Sequence, residues 1–150
     1  MTNRDIRIIR VAETDREIDE CFPVMAQLRP HLERSEFVAR VRRQMAGGYR
    51  LAYLLEEDTV RAVAGYRILE NLAWGRFLYV DDLVTDEAAR SKGHGKALLA
   101  WLAERARQEG CAQLHLDSGH HRKGAHRFYL REGLDNAGLH FMIRVGDDRD

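Results

Sequence analysis

The chain has 150 residues, 45% of them hydrophobic and 32% charged, which is ordinary for a globular protein able to bury a core. Its 24 Lys and Arg residues balance 24 Asp and Glu residues, so no global field attracts nucleic acid or an anionic membrane. No run approaches the ~20 apolar residues of a membrane span, and the N-terminus opens no signal-peptide core. We therefore predict one domain over residues 1–150, in the cytoplasm, with no nucleic-acid or membrane partner.

The two cysteines, Cys21 and Cys111, are too few for a disulfide framework. Both lie in segments with an apolar pattern, so we expect buried free thiols, as in a reducing compartment.

The first third of the chain predicts a strand and two helices. Apolar residues alternate with charged ones over residues 5–11, and Thr14-Asp15-Arg16-Glu17 has the form of a capping box. Pro23 predicts a kink or restart in the helix that follows. Ser35 is the expected cap of the next helix, which a Gly-Gly pair ends.

The remaining elements alternate in a way that predicts a mixed sheet. Strands are expected at 49–56, 59–69, 76–84, 112–117 and 139–145, and helices at 97–107 and 120–132. Three successive strands favour antiparallel pairing, whereas the later strand–helix–strand unit requires a parallel crossover. The predicted fold is α/β (α+β), with helices on both faces of a mixed, mostly antiparallel sheet.

A glycine-rich stretch lies where the strand at 76–84 gives way to a helix. It reads Arg90-Ser91-Lys92-Gly93-His94-Gly95-Lys96. Glycines at such a junction let backbone amides approach an anion, and the helix N-terminus adds partial positive charge. The sequence lacks the P-loop pattern and the third glycine of the dinucleotide fingerprint. A pyrophosphate cradle and a glycine-rich turn without a ligand are the two interpretations.

Two motifs resemble the GCN5-related N-acetyltransferase (GNAT) superfamily. The stretch from Val84 to Gly95 is similar to its acetyl-CoA signature, [QR]-x-x-G-x-[GA] after a strand. Downstream, Ala125-x-x-Phe128-Tyr129-x-x-x-Gly133 resembles its A-x-x-F-Y-x-x-x-G segment, at the separation that the family requires. The resemblance implies a sheet of about six to seven strands, splayed to hold acetyl-CoA.

The resemblance also implies which residues bind the donor. Backbone groups of Leu83, Val84 and Thr85 would pair with pantetheine like an added strand. Amides of residues 90–96 would hold the pyrophosphate, with charge from Arg90, Lys92 and Lys96, while Ser91, Gly93, His94 and Gly95 contribute their backbones. The alternative interpretation of Lys92 and Lys96 is that they are solvated charges at the start of a helix. Arg122, where the family often has asparagine, could reach a CoA phosphate, and Ala125 is assigned to the same cofactor site.

By the same resemblance, Tyr129 is the candidate acid that protonates the departing thiolate. The run Tyr79-Val80-Asp81-Asp82-Leu83 resembles the Y-L-E-D segment of polyamine acetyltransferases, which makes Asp81 the candidate base. The alternative is an ordinary pair of solvated carboxylates at a strand end. Tyr129 could instead be a core aromatic. Asp81 and its neighbour Asp82 point to opposite faces of a regular strand unless a bulge intervenes, so Asp81, Asp82 or a water molecule is left open as the base.

The implied function is acetyl transfer from acetyl-CoA to a primary amine of a small molecule, without a covalent enzyme intermediate. The alternatives are a non-catalytic acetyl-CoA sensor or scaffold and a protein acetyltransferase. His115, His120, His121 and His126 crowd one stretch, but no Cys or acidic residue recurs at ligand spacing, so no metal is expected. Homodimerisation is common in the family, and nothing in the sequence specifies it.

Overall fold

The computed structural model describes residues 7–146. The strands are β1 (Arg7–Val11), β2 (Arg50–Glu56), β3 (Thr59–Asn71), β4 (Gly75–Thr85) and β5 (Gln113–Leu116). The helices are α1 (Asp15–Glu20), α2 (Phe22–Leu28), α3 (Arg34–Ala46), α4 (His94–Gln108) and α5 (Lys123–Arg131), with a 3₁₀ helix at Glu87–Ala89. Residues 5 and 6 of the first predicted strand, and 147–150 of the tail, lie outside the described residues.

The described residues fall into two compact units that divide after Leu116. The larger contains the sheet and α1–α4, and the smaller contains α5. The assignment of the whole chain to one domain stays a prediction.

The sheet is mixed and mostly antiparallel, as predicted. Its strand order is β1-β2-β3-β4-β5, with antiparallel pairs up to β4 and a parallel β4–β5 pair. Glu57 and Asp58 form the tight turn between β2 and β3, and both have positive φ, as a two-residue hairpin turn with the twist of the flanking strands requires.

Helices cover both faces of this sheet, because alternate strand residues point to opposite sides. On one face, Leu51 and Val63 pack with Ile18 and Phe37 of α1 and α3. On the other face, the buried residues are Ala52, Leu54, Ala62, Ala64, Tyr66, Leu78 and Val80 of the sheet, Leu98, Leu102 and Ala106 of α4, and Cys111.

Most of the predictions for the first helices were correct. The capping box at Thr14 is complete, with Glu17 accepting from the Thr14 amide and Thr14 accepting from the Glu17 amide. Pro23 lies in the first turn of α2, which is a new helix. The prediction for Ser35 was wrong: α3 begins at Arg34 after Glu33, so Ser35 is inside the helix. Both cysteines are buried and free, as expected.

The predicted strand at 139–145 was also wrong. Residues 7–146 contain five strands rather than six or seven, and 135–145 carry no regular structure. Phe141 is 85% exposed and Val145 94% exposed. The alternation of apolar residues there reports strand propensity, but a strand forms only where a neighbouring edge supplies hydrogen-bond partners.

Candidate active site

A β-bulge in β4 sets the direction of its two adjacent aspartates. Gly65 of β3 is opposite Asp82, but Tyr66 is opposite Val80, so Asp81 is the extra residue. A bulge turns side chains away from strict alternation. Asp81 and Asp82 are therefore joined in one network on the side of the sheet that α2 and α3 cover.

Both carboxylate oxygens of Asp82 are occupied. The Tyr49 hydroxyl donates to Oδ2 at 2.8 Å, and Arg29 Nε donates to Oδ1 at 2.9 Å. Burial raises the pKa of Tyr49 well above its ordinary value, with the Asp82 charge as the next cause. Tyr49 thus stays a neutral donor, and each oxygen of Asp82 already accepts one hydrogen bond.

Asp81 differs because one of its oxygens is unused. Arg67 Nε donates to Oδ2 at 2.9 Å, while Oδ1 is buried with no hydrogen-bond partner among the described residues. Arg67 is held in turn by Gln44 of α3 at 2.6 Å and by the face of the Tyr49 ring. Burial raises the pKa of Asp81, and the Arg67 guanidinium opposes that shift. A half-buried carboxylate with a spare oxygen can accept a proton or attract an ammonium group.

The carboxyl-terminal half of β4 has a strand partner on only one side within residues 7–146. Residues Leu83, Val84 and Thr85 pair with Ala62–Ala64 of β3 on one side. On the other side, β5 pairs only with residues 77–80, and no described strand continues beside 81–85. The splay implied by the resemblance stays a prediction. A strand edge of roughly 16 Å, at about 3.3 Å per residue, can accept an extended chain.

The loop after β4 presents backbone amides at the start of α4. Ser91 and Gly93 both have left-handed backbones, with φ of 66° and 82°. No side chain caps the N-terminus of α4 within residues 7–146, so the first amides of the helix are free for an anion. The side chains of Arg90, Lys92 and Lys96 are exposed beside them. This arrangement has the donors and the charge that a pyrophosphate needs.

Residues outside the motif anchor this loop. Gln27 of α2 donates to Asp86 Oδ1 at 3.0 Å and accepts from the Glu87 amide at 2.8 Å. Arg7 of β1 donates to the Lys92 carbonyl at 2.6 Å. Arg29, which binds Asp82, is the C-cap residue of the same helix, so α2 and its cap contact both the loop and the aspartates.

The smaller unit contains the other predicted site residues. Tyr129 is buried at 9% exposure in α5, with Arg122 and Ala125 both half-buried. Burial raises the pKa of Tyr129, and the positive charge of Arg122 opposes that shift.

The sequence did not indicate Arg29, Gln44, Tyr49 or Arg67. They lie in segments without motifs, and their roles depend on long-range contacts to β4. The glycine at position 65 was the one available signal, since glycine inside a strand often marks a bulge or a close approach.

Two kinds of feature are absent from residues 7–146. No group of three or more His, Cys, Asp or Glu residues is placed to hold a metal ion. Of the helices between residues 7 and 146, none combines the length and apolar content that crossing a bilayer requires.

Comparisons with known proteins agree with the geometry. A sequence profile described as "Acetyltransferase (GNAT) family" matches residues 11–134. An uncharacterized N-acetyltransferase, YhdJ, of Bacillus subtilis (strain 168) is 37% identical over 111 residues, which is 73% of this chain and 78% of that protein. An aminoalkylphosphonate N-acetyltransferase of Salmonella typhimurium (strain LT2) is 40% identical over 62 residues, covering 41% of this chain and 40% of that protein.

The fold is also that of solved acetyltransferases. The aminoglycoside N-acetyltransferase AAC(6')-Iy in complex with CoA superimposes with a TM-score of 0.80 at 13% identity, covering 93% of this chain and 94% of that chain. At that identity the likeness shows the fold alone. The profile match and the Bacillus relative, taken with the β4 edge and the amide-rich loop, show that this chain belongs to the acetyltransferase (GNAT) family.

Proposed function

We propose that the protein transfers the acetyl group of acetyl-CoA to the primary amine of a small molecule, by direct attack in a ternary complex. The observation that carries this proposal is the spare, buried oxygen of Asp81 at the start of the carboxyl-terminal half of β4. From the bulge of β4 onward, the chain has the carboxylate of Asp81 and then an edge for pantetheine at residues 83–85. After the strand comes a loop for the pyrophosphate at residues 90–96.

Acetyl-CoA is the donor substrate in this proposal. Leu83, Val84 and Thr85 pair with the pantetheine amides through their backbones. The amides of residues 90–96 bind the pyrophosphate, and Arg90, Lys92 and Lys96 add charge-assisted contacts.

Asp81 prepares the acceptor. A primary amine is mostly protonated at neutral pH, given a lysine reference pKa of about 10.4, and must lose a proton before attack. Asp81 Oδ1 attracts the ammonium and receives that proton directly or through water, while Arg67 holds Oδ2. Burial raises the pKa of Asp81 in the direction of neutral pH, which suits a general base. Asp82 has a structural role, because both of its oxygens are occupied.

The amine nitrogen then attacks the thioester carbonyl, a C–N bond forms and the C–S bond breaks. Tyr129 gives its phenolic proton to the departing sulfur and takes back the second amine proton, while Asp81 releases the first amine proton to solvent. A reference phenol, with a pKa of about 10, is a weaker acid than a reference thiol of about 8.5. Proton transfer from Tyr129 to the sulfur is therefore unfavourable by itself. The more acidic proton on the nitrogen of the tetrahedral intermediate compensates when it passes to Tyr129.

An amine panel tests this function. It should include polyamines, amino sugars and aminoalkylphosphonates, the last because of the Salmonella relative and the basic side chains of Arg29 and Arg67 beside the aspartates. We expect amine-dependent release of CoA thiol and an acetylated product 42 mass units heavier, about the mass of an acetyl group less one hydrogen. Thermal stabilisation by acetyl-CoA without thiol release from any amine would instead indicate a sensor or scaffold.

A further inference from the structure

The His94 side chain is buried inside an otherwise exposed loop. It is 1% exposed and is the only buried polar or charged residue among residues 7–146, while Ser91, Lys92 and Gly93 before it are exposed. An imidazole without partners is costly to bury. An aliphatic residue would pack at this first position of α4 with less cost, so the imidazole calls for a reason.

Both ring nitrogens of His94 face hydrogen-bond acceptors. Nδ1 lies 3.2 Å from the Ala89 carbonyl oxygen, and Nε2 lies 3.3 Å from Glu56 Oε1. A neutral imidazole has one N–H and one lone pair, whereas the imidazolium has two N–H donors. The Nε2 contact is within ion-pair distance but lacks hydrogen-bond alignment, and it is an ion pair only when the ring is protonated. Two acceptors beside two ring nitrogens match the two N–H donors of an imidazolium.

These partners connect His94 to the whole donor loop. Glu56 of β2 also accepts from Arg7 Nε at 3.2 Å, and Arg7 donates to the Lys92 carbonyl. The Ala89 carbonyl precedes the segment 90–96, and Lys92 and His94 lie inside it. One network thus holds the residue before the segment and two residues within it.

Without a ligand, positive groups outnumber negative groups around His94. Glu56 from β2 favours the imidazolium, while Arg7 behind it and the N-terminus of α4 oppose it. The exposed side chains of Arg90, Lys92 and Lys96 on the same loop are also positive. A pyrophosphate bound to the loop would add two negative charges beside this positive cluster and shift the balance toward the imidazolium.

We propose that His94 is a positioning residue for the donor pyrophosphate, held as an imidazolium between Glu56 and the Ala89 carbonyl when the loop is occupied. Donor binding is then coupled to proton uptake. This inference rests on the proposed function, because it requires that the loop bind a CoA pyrophosphate.

Calorimetric titration with dephospho-CoA tests the coupling. This probe retains the pyrophosphate but lacks the 3′-phosphate, whose second ionisation near pH 6 would add its own proton exchange. Heats measured near pH 7 in buffers of different ionisation enthalpy give the protons taken up per ligand. We expect measurable uptake of up to about one proton, and an affinity that weakens between pH 6 and pH 8 by at most about tenfold per pH unit.

Three variants identify the group that takes up the proton. His94→Gln should abolish the uptake and flatten the pH dependence, and Glu56→Gln should reduce both by removing the charge that favours the imidazolium. His31→Gln, which removes an exposed histidine from the α2–α3 connection, should behave like the unmodified protein. If His94→Gln fails to fold, the unmodified protein and Glu56→Gln still decide the question.

Three results would overturn the proposal. They are no proton uptake by the unmodified protein, unchanged uptake in His94→Gln, or unchanged uptake in Glu56→Gln. Failure of both dephospho-CoA and acetyl-CoA to bind would reject the donor site itself and this inference with it. Acetyl-CoA binding with turnover but without His94-dependent uptake would reject this inference alone.

Discussion

The Tyr49 hydroxyl reaches Asp82 Oδ2 across 2.8 Å by passing over Gly65 of β3. A methyl group at residue 65 would overlap the end of the Tyr49 ring and Asp82 Oδ2. The absence of a side chain at this position thus allows the contact that fixes Asp82, next to the bulged Asp81.

Gly65→Ala should break this contact. Because Tyr49 is buried at 4% exposure, the ring cannot move aside freely, and we expect the free energy of unfolding to fall by about 1–3 kcal/mol. Urea denaturation measures the loss. The matched control is Gly47→Ala, where a new Cβ has only the Gln44 carbonyl at 3.5 Å and should change stability by less than about 0.5 kcal/mol. Equal stability of the two variants would contradict the close approach at residue 65.

Asp81→Asn and Asp82→Asn should have different effects. The first removes the base and should lower the rate of acetyl transfer by about 10²-fold or more, with a smaller loss of stability because Oδ1 has no partner to lose. The second leaves Arg29 and Tyr49 facing a neutral amide and should lower the unfolding free energy more. Turnover and denaturation measured on both variants separate these roles. If Asp82→Asn loses more turnover than Asp81→Asn at equal stability, Asp82 is the base and Asp81 is not.

Glu17 should make the fold sensitive to acid. Its carboxylate accepts from the backbone amides of Thr14 and Glu13 and from the Tyr53 hydroxyl, and these bonds lower its pKa from 4.5 to about 2. The folded state therefore binds fewer protons than the unfolded state between those values, so this contribution to stability is present above about pH 4.5 and is lost as the pH falls toward 2.

Urea denaturation from pH 6 to pH 2.5 measures this dependence, in steps of about half a pH unit. Glu17→Gln should flatten the acid limb, whereas Glu36→Gln, at an exposed position of α3, should leave it unchanged. The same slope in all three proteins would show that Glu17 does not govern the acid limb.

Lys92 and Lys96 should contribute to donor binding through charge. Both are exposed, so the double alanine variant should weaken acetyl-CoA binding by roughly 2- to 10-fold, about 0.4–1.4 kcal/mol, and reduce its salt dependence. Titration at two ionic strengths measures both effects. Arg16→Ala is the control, since its side chain is 89% exposed on α1. If the double variant behaves like this control, the two lysines are solvated charges without a role in binding.

Much of the fold was predictable because its signals are local. The capping box at Thr14, the turn at Glu57 and Asp58, and the apolar stripe of α4 each depend on neighbours in sequence. The sheet pairing followed from chain order and the requirement for a parallel crossover. Residues 139–145 have an equally regular apolar pattern. Whether they form a strand depends on pairing with a strand that is distant in sequence, and a local pattern carries no information about that partner.

The glycine-rich loop at residues 90–96 was predictable and the carboxylate network was not. Glycines and basic residues of the loop form one short motif, whereas Asp81 owes its spare oxygen to a bulge and to Arg67 and Gln44 from other elements. Alternation alone left the choice between Asp81 and Asp82 open. The occupied oxygens of Asp82 favour Asp81, because a base needs an oxygen that is free to accept.

The central claim is that an amine takes the acetyl group of acetyl-CoA while Tyr129 protonates the sulfur. Its most direct test compares CoA thiol release by the unmodified protein and Tyr129→Phe, with acetyl-CoA affinity measured in parallel. We predict amine-dependent release, reduced by about 10²-fold or more in the variant at unchanged affinity. No release with any amine, or a reduction of less than about tenfold with binding intact, would contradict the account.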